Sequence, residues 1–311
     1  MSNRVVVVGS ANLDLGVGVR HLPAPGETVL GDDVASGPGG KGANQAVAAR
    51  RLGADTLFFG AVGDDPFGAD VHAALHREGV GLDHLAVLPG VPTGVALIVV
   101  DRAGENTIVV APGANARVSA LDALPAALTP GSVLVLQLEI PLATCLAAAR
   151  HARRAGATVV LNAAPLPAPV PPELTTLLRE VDVLVLNEGE ARSLDGTAAD
   201  WPDLTRRLRG LGPAACVVTL GAEGAAYADA TGTGVQPAFH AEVVDTTGAG
   251  DSFCGALAAS LAQGHDLRSA VRRGCAAGAL ATARMGAQPA LPTAADLDRF
   301  LAGQSGPPGT P

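Results

Sequence analysis

Aromatic side chains are scarce in this chain: 311 residues hold six Phe, one Trp and one Tyr. Because 48% of the residues are nonetheless hydrophobic, the core must be aliphatic and rich in Ala. The length permits a substantial core, as one large domain or two modest ones. Positive charge is also short. Against 30 Asp and Glu stand 21 Lys and Arg, a net charge of −9, which argues against a nucleic-acid surface. Only four cysteines occur (Cys145, Cys216, Cys254 and Cys275) and none is spaced Cys-x-x-Cys. They read as free buried thiols of a reducing compartment. No apolar run reaches the length of a membrane span, and residues 1–4 lead straight into Val5-Val6-Val7-Val8-Gly9, a strand rather than a secretory leader. The expected location is the cytoplasm, with no membrane partner. His72 and His76 share a helix face, but no acidic or thiol ligand beside them completes a zinc pattern. Lysine is rarest of all: Lys41 stands alone against twenty Arg.

What is present is an alternation of short apolar runs and helical patterns. Strands are expected at 5–9, 56–60, 133–138, 158–161, 183–186 and 215–219. Helices are expected near 44–52, 66–79, 142–155, 173–179, 189–194 and 203–211. Continuous apolar strands separated by helices predict a three-layer α/β/α sandwich around a mostly parallel sheet. Two segments break this rhythm. Residues 13–36 carry Pro and Gly turns, and 91–112 read as a hairpin, with 94–100 and 107–110 on either side of a turn. Together they predict a small β-sheet projecting from a core made of 1–12, 37–90 and 113–302. The Gly- and Pro-rich tail 303–311 is expected to be disordered.

The densest chemistry lies in Asp245-Thr246-Thr247-Gly248-Ala249-Gly250-Asp251-Ser252-Phe253, which runs into an Ala-rich helical pattern. Gly248-Ala249-Gly250 would leave backbone N–H groups free at a helix N-terminus, where the dipole favours a negative charge such as a phosphate. Asp251 beside that anion site could take the proton of an attacking hydroxyl, as phosphoryl transfer to an alcohol requires. The commoner role of an Asp here is to cap the helix. A second motif, Gly39-Gly40-Lys41-Gly42-Ala43-Asn44-Gln45-Ala46, also opens a helical pattern. It lacks the Ser or Thr that follows Lys in a Walker A loop. A backbone-rich pocket with Asn44 beside it suits a polyhydroxylated ligand.

Other polar residues sit at strand ends, where ligand sites of open α/β sheets lie. Asn12 and Asp14 follow the first strand, as sugar ligands or as a capped turn. Glu139 ends an apolar strand, where a carboxylate is costly unless paired, functional or already in solvent. Asn187 and Glu190 form Asn-x-x-Glu, which also fits a capping box. Thr219-Leu220-Gly221-Ala222-Glu223-Gly224 is a Thr-x-Gly-x-x-Gly turn.

The two glycine-rich motifs, in this order and about two hundred residues apart, resemble the ribokinase-like carbohydrate kinases of the phosphofructokinase-B type, over nearly the whole chain. The resemblance implies the same sandwich, with the small sheet as a lid over the sugar that often forms a homodimer contact. It implies ATP-dependent phosphorylation of a small sugar, D-ribose at O5 in the first place, with Asp251 as general base and Gly248, Ala249 and Gly250 as the anion hole. Asn12, Asp14, Gly40, Lys41, Gly42, Ala43, Asn44 and Glu139 would bind the sugar. Asn187, the turn from Thr219 through Leu220, Gly221, Ala222 and Glu223 to Gly224, Gly250 and Cys275 would meet the nucleotide, with Glu190 ordering Mg2+ through water. Asp245, Thr247, Ala281, Arg284, Gly286 and Ala290 correspond to a monovalent-cation site for K+. The chain departs from the family at Ala290, where a Ser is frequent, and at Cys275, where a polar residue is usual. A deoxypentose, a ketohexose or a nucleoside remains an alternative substrate, as does a catalytically silent binding role. A dinucleotide-dependent dehydrogenase is disfavoured, because Gly9-Ser10-Ala11-Asn12 is not Gly-x-Gly-x-x-Gly.

Overall fold

The computed structural model describes residues 3–119, 121–196 and 200–304. Its nine-stranded central sheet runs, edge to edge, through β13 (Gly232–Gln236), β12 (Ala225–Asp229), β11 (Ala215–Thr219), β10 (Val183–Asn187), β9 (Thr158–Asn162), β8 (Val133–Gln137), β1 (Arg4–Val8), β4 (Asp55–Gly63) and β5 (Gly81–Leu88). From β5 to β11 every neighbouring pair is parallel, and β12 and β13 fold back antiparallel. In β1, Val7 lies between Phe58 and Val135.

The two faces of the sheet bury different side chains, because successive strand residues point to opposite sides. Val133 and Val135 of β8, and Val183 and Val185 of β10, enter one core. Leu134, Leu136, Leu184 and Leu186 enter the other. The valine face meets α1 (Lys41–Arg51) and α8 (Ala249–Ala262), both rich in Ala, so shorter side chains fill the narrower gap. The leucine face is covered by α4 (Leu142–Ala155), α5 (Pro172–Leu178) and α7 (Trp201–Arg209). Helices α1 and α8 touch almost backbone to backbone. A Cβ at Gly255 would collide with Cβ of Ala48 and stand 2.9 Å from the Ala49 amide.

The second sheet has four strands in the order β3 (Ala35–Gly39), β2 (Asn12–Gly18), β6 (Gly94–Val100) and β7 (Asn106–Ala111). It is mixed: β2 and β6 are parallel and the outer pairs antiparallel. The hairpin expected at 94–100 and 107–110 is β6 and β7. Two side chains pin the root of this sheet. Asp65 accepts bonds from the Thr93 amide and hydroxyl, and Asn115 clasps the backbone of Ala11. Strand β7 is exposed throughout, with Ile108 and Val109 more than half accessible. Among the described residues no helix is long and apolar enough to cross a membrane. Of the tail, Gly303 closes α10 (Ala294–Gly303), and 305–311 lie outside the described residues.

Candidate active site

Helix α1 begins where β1 hands over to β2. Its N-cap, Gly40, has φ 88°, and a Cβ there would stand 2.8 Å from the Asn12 amide. Glycine is required on both counts. The first amides of α1 are already engaged: Lys41 N–H donates to Glu139 Oε2 at 3.0 Å, Gly42 N–H to Ser10 Oγ at 3.2 Å and Ala43 N–H to Ser10 O at 2.8 Å. Ser10 Oγ donates to the same Glu139 oxygen at 2.5 Å. Glu139 is thus no bare strand end; it caps α1 from a half-buried position, where the helix dipole favours it. Gly42 and Ala43 are buried in the first turn.

Four side chains converge on this mouth: Asp14, Lys41, Asn44 and Glu139. Asp14 Oδ1 and Asn44 Oδ1 are buried without a hydrogen-bond partner, two acceptors awaiting donors. Burial, with Glu139 and Asp251 close by and Lys41 opposing them, pushes the Asp14 pKa up to about 6. Burial would lower the Lys41 ammonium, but Asp251, Glu139 and Glu190 around it outweigh that and hold it above its usual value. Asn12 is buried, and its Oδ1 accepts from Asn115 Nδ2 at 2.7 Å, which leaves its own amide hydrogens to donate.

Asp251 does not cap α8. The N-cap is Gly248, with φ 77°, and Asp251 sits in the first turn facing α1. Its Oδ2 accepts from Asn44 Nδ2 and its Oδ1 from Gln45 Nε2, each at 2.9 Å. Each oxygen keeps a lone pair. Of the three expected anion-hole amides, that of Ala249 donates to Thr246 O at 3.2 Å; those of Gly248 and Gly250 carry no bond to the described residues. A Cβ on Gly250 would meet nothing within 4 Å. In a helix Gly is the weaker choice than Ala, so this position keeps open a space that the protein does not fill itself.

That space is a polar cavity of about 240 Å³ reached by Lys41, Asn187, Glu190, Gly248, Gly250 and Asp251. Asn187 and Glu190 do form a capping box at the start of α6 (Glu188–Leu194), and one Glu190 oxygen accepts the Asn187 amide. Burial raises the Glu190 carboxyl against the opposing pull of that bond and of Lys41. Thr219, Thr246 and Gly250 also border a larger, mainly apolar cavity of about 580 Å³, walled by Gly221, Ala222, Gly224, Phe239 and Cys275. Burial pushes the Cys275 thiol up to about 12. Two residues of the turn point elsewhere: Leu220 is buried in the leucine-face core, and Glu223 with it borders a separate depression beside Trp201.

Of the expected cation residues, Thr247 and Gly286 are joined through Asp245. Asp245 accepts the Thr247 amide at 2.9 Å and the Gly286 amide at 2.7 Å. Burial works to raise its carboxyl, and these bonds hold it lower. The Ala281 carbonyl accepts from Arg284 N at 3.4 Å, and Ala290 is buried with no side-chain oxygen to offer. Arg51, at the far end of α1, binds the carbonyls of Gln288 and Leu291 at 2.9 and 2.6 Å and so ties the second loop to α1. Sequence reasoning passed over Ser10, Gln45, Arg51, Asn115, Gln137 and Asn162. One visible signal was Gln137, a lone amide inside the apolar run 133–138.

The strand ends of the sandwich thus bring Asp14, Glu139 and Lys41 beside a polar cavity bordered by open backbone amides, with Asp251 between them. Residues 2–294 match the family described as pfkB family carbohydrate kinase. A ribokinase of Schizosaccharomyces pombe is 36% identical over 310 residues, covering 94% of this chain and 96% of its own. One of Bacillus subtilis is 36% identical over 300 residues, covering 96% and 99%. The Arabidopsis thaliana ribokinase solved with ribose and ATP superposes with a TM-score of 0.87 at 32% identity, covering 97% and 99%. The chain belongs to the pfkB family of carbohydrate kinases.

Proposed function

We propose that this protein transfers the γ-phosphoryl group of ATP to O5 of D-ribose, giving ribose 5-phosphate. The observation that carries the reading is the contact between Asn44 and Asp251, which joins the carboxylate-lined pocket to the open anion cradle. The sugar would lie against Asp14, Lys41, Asn44 and Glu139, with Asn12 donating and Gly40 keeping the floor flat. The unpartnered Asp14 and Asn44 oxygens suit the donating hydroxyls of a sugar. Asp251 takes the O5 proton as the oxygen attacks phosphorus, and the amides of Gly248 and Gly250, with Ala249 completing their turn, meet the developing charge. The apolar cavity beside Cys275 and Phe239 suits a base, with Thr219, Gly221, Ala222 and Gly224 along its edge. The similarity to ribokinases, one of them solved with ribose and ATP, supports the sugar.

Among the described residues no cluster of three His, Cys, Asp or Glu could cage a metal. Glu190 and Asn187, facing the polar cavity, fit Mg2+ held chiefly by phosphates and water. When bound, Mg2+ would neutralise phosphate charge. The loops joined by Asp245 fit a monovalent cation such as K+ through carbonyl oxygens. The small sheet serves as a lid that excludes water, and its exposed Leu97, Ile108 and Val109 support a homodimer through that sheet.

The test is ADP release from MgATP with ribose, deoxyribose, fructose, adenosine or no sugar. Fast release with ribose alone is expected. Faster release with another acceptor overturns the sugar, and no release with any acceptor overturns the kinase reading for these substrates.

A further inference from the structure

Gln45 and Gln137 are buried with no exposed surface at all, and neither touches the pocket mouth. Gln137, at the C-terminal end of β8, donates through Nε2 to Gln45 Oε1 at 2.7 Å. Gln45, on α1, donates through Nε2 to Asp251 Oδ1 at 2.9 Å and to Asn162 Oδ1 at 3.1 Å. The direction of this chain follows from its end point. A carboxylate only accepts, so Gln45 must turn its NH2 to Asp251 and its carbonyl away, where Gln137 meets it. The arrangement leaves the Gln137 Oε1 itself buried and unpartnered, a cost a purely structural residue would avoid. A Leu at 137 would match the strand around it but would take from Gln45 Oε1 its donor.

We propose that Gln45 and Gln137 are positioning residues for Asp251: Gln137 fixes the orientation of the Gln45 amide, and Gln45 fixes the carboxylate in the rotamer that faces the acceptor hydroxyl. The inference rests on the reading of Asp251 as general base. Without Gln137 the Gln45 oxygen loses the donor that anchors it, which loosens the amide held between Asp251 and Asn162 and with it the Asp251 rotamer. The charged groups close to Asp251 are Lys41 from α1 and Asp14 from β2, with Glu139 and Glu190 around Lys41 in turn. All of them remain in a Gln137 variant.

The experiment compares Gln137→Leu with the parent enzyme for kcat, both KM values and Tm. Expected is a loss of about tenfold in kcat with both KM values within about threefold. Turnover equal to the parent overturns the proposal. So does a loss in kcat that comes with a comparable rise in both KM values and a lower Tm, which marks a packing role. Gln137→Met, which keeps an unbranched stem but has no donor, should show the same split and serves if the Leu variant does not fold. Asp251→Asn run in parallel separates the two readings. If it turns over normally, the base assignment fails; if it is inactive while Gln137→Leu keeps the parent kcat, only the positioning role fails.

Discussion

Asn44 Nδ2 donates to Asp251 Oδ2 at 2.9 Å, joining residues 207 positions apart. The first turn of α1 and the first turn of α8 thereby become one site. Asn44 gives Asp251 a donor yet keeps its own carbonyl oxygen buried and open, so one side chain can serve both the proposed base and a ligand.

Asp251→Asn should leave both KM values nearly unchanged and lower kcat by about 10² to 10⁴, the range a positioned general base supplies. Steady-state kinetics with ribose and ATP check it; turnover near the parent value removes Asp251 as base.

Asp14 predicts opposite pH trends for binding and for stability. Its pKa of about 6, against 3.8 for the ordinary group, means the folded protein holds this proton more tightly than the unfolded chain. Asp14 therefore costs stability above pH 6, and the cost fades as pH falls from 6 towards 3.8. The carboxylate that accepts sugar hydroxyls is lost in the same window, so the sugar KM should rise as pH falls through 6 while the ATP KM changes less. Asp14→Asn should raise the Tm of the ligand-free protein at neutral pH, with the gain vanishing in acid, and weaken sugar binding. Calorimetry across pH decides; a gain that persists unchanged into acid contradicts the assignment.

Gly248 and Gly250 should answer differently to Ala. At 248 the φ of 77° and Ala287 Cα at 3.0 Å make the substitution strained, so Tm should drop. At 250 the new methyl meets no protein atom and improves the helix by up to about 1 kcal/mol, while entering the anion cradle. Gly250→Ala should keep or raise Tm and lower kcat. Equal loss of Tm in both variants rejects this reading of the cradle.

Ala290→Ser places a hydroxyl where this chain has none. If the loop pair binds a cation, the parent should turn over faster in KCl than in choline chloride at equal ionic strength, and Ala290→Ser should reach its maximum at lower K+. Rates indifferent to K+ in both proteins exclude the site.

The apolar strands and the two glycine-rich helix starts were legible in sequence because strand burial and helix openings leave periodic or compositional marks. Helix α1 begins at Lys41 rather than near 44, because the opening turn is glycine-rich and has no apolar rhythm to betray it. Strands β5 and β13 are the sheet edges, with exposed residues mixed into their patterns, and they escaped notice, as did the short β12 beside β13. At the site, the residues proposed to face a ligand were visible as motifs. Those that orient them were not: Asn115 fixes Asn12 from 103 positions away, and no local pattern encodes such a meeting. That Asp251 is not the cap of α8 likewise waited on seeing Gly248 in that position.

Gly255 lies one turn beyond Asp251, and Ala48 one turn beyond Asn44. The helix faces that touch without room for a methyl are the same faces that carry the site. This crossing acts as a gauge block: two residues that never meet a substrate set the span between acceptor and donor. Any methyl added at 255 forces the two helices apart, and the shift is carried one turn up to the bond between Asn44 and Asp251.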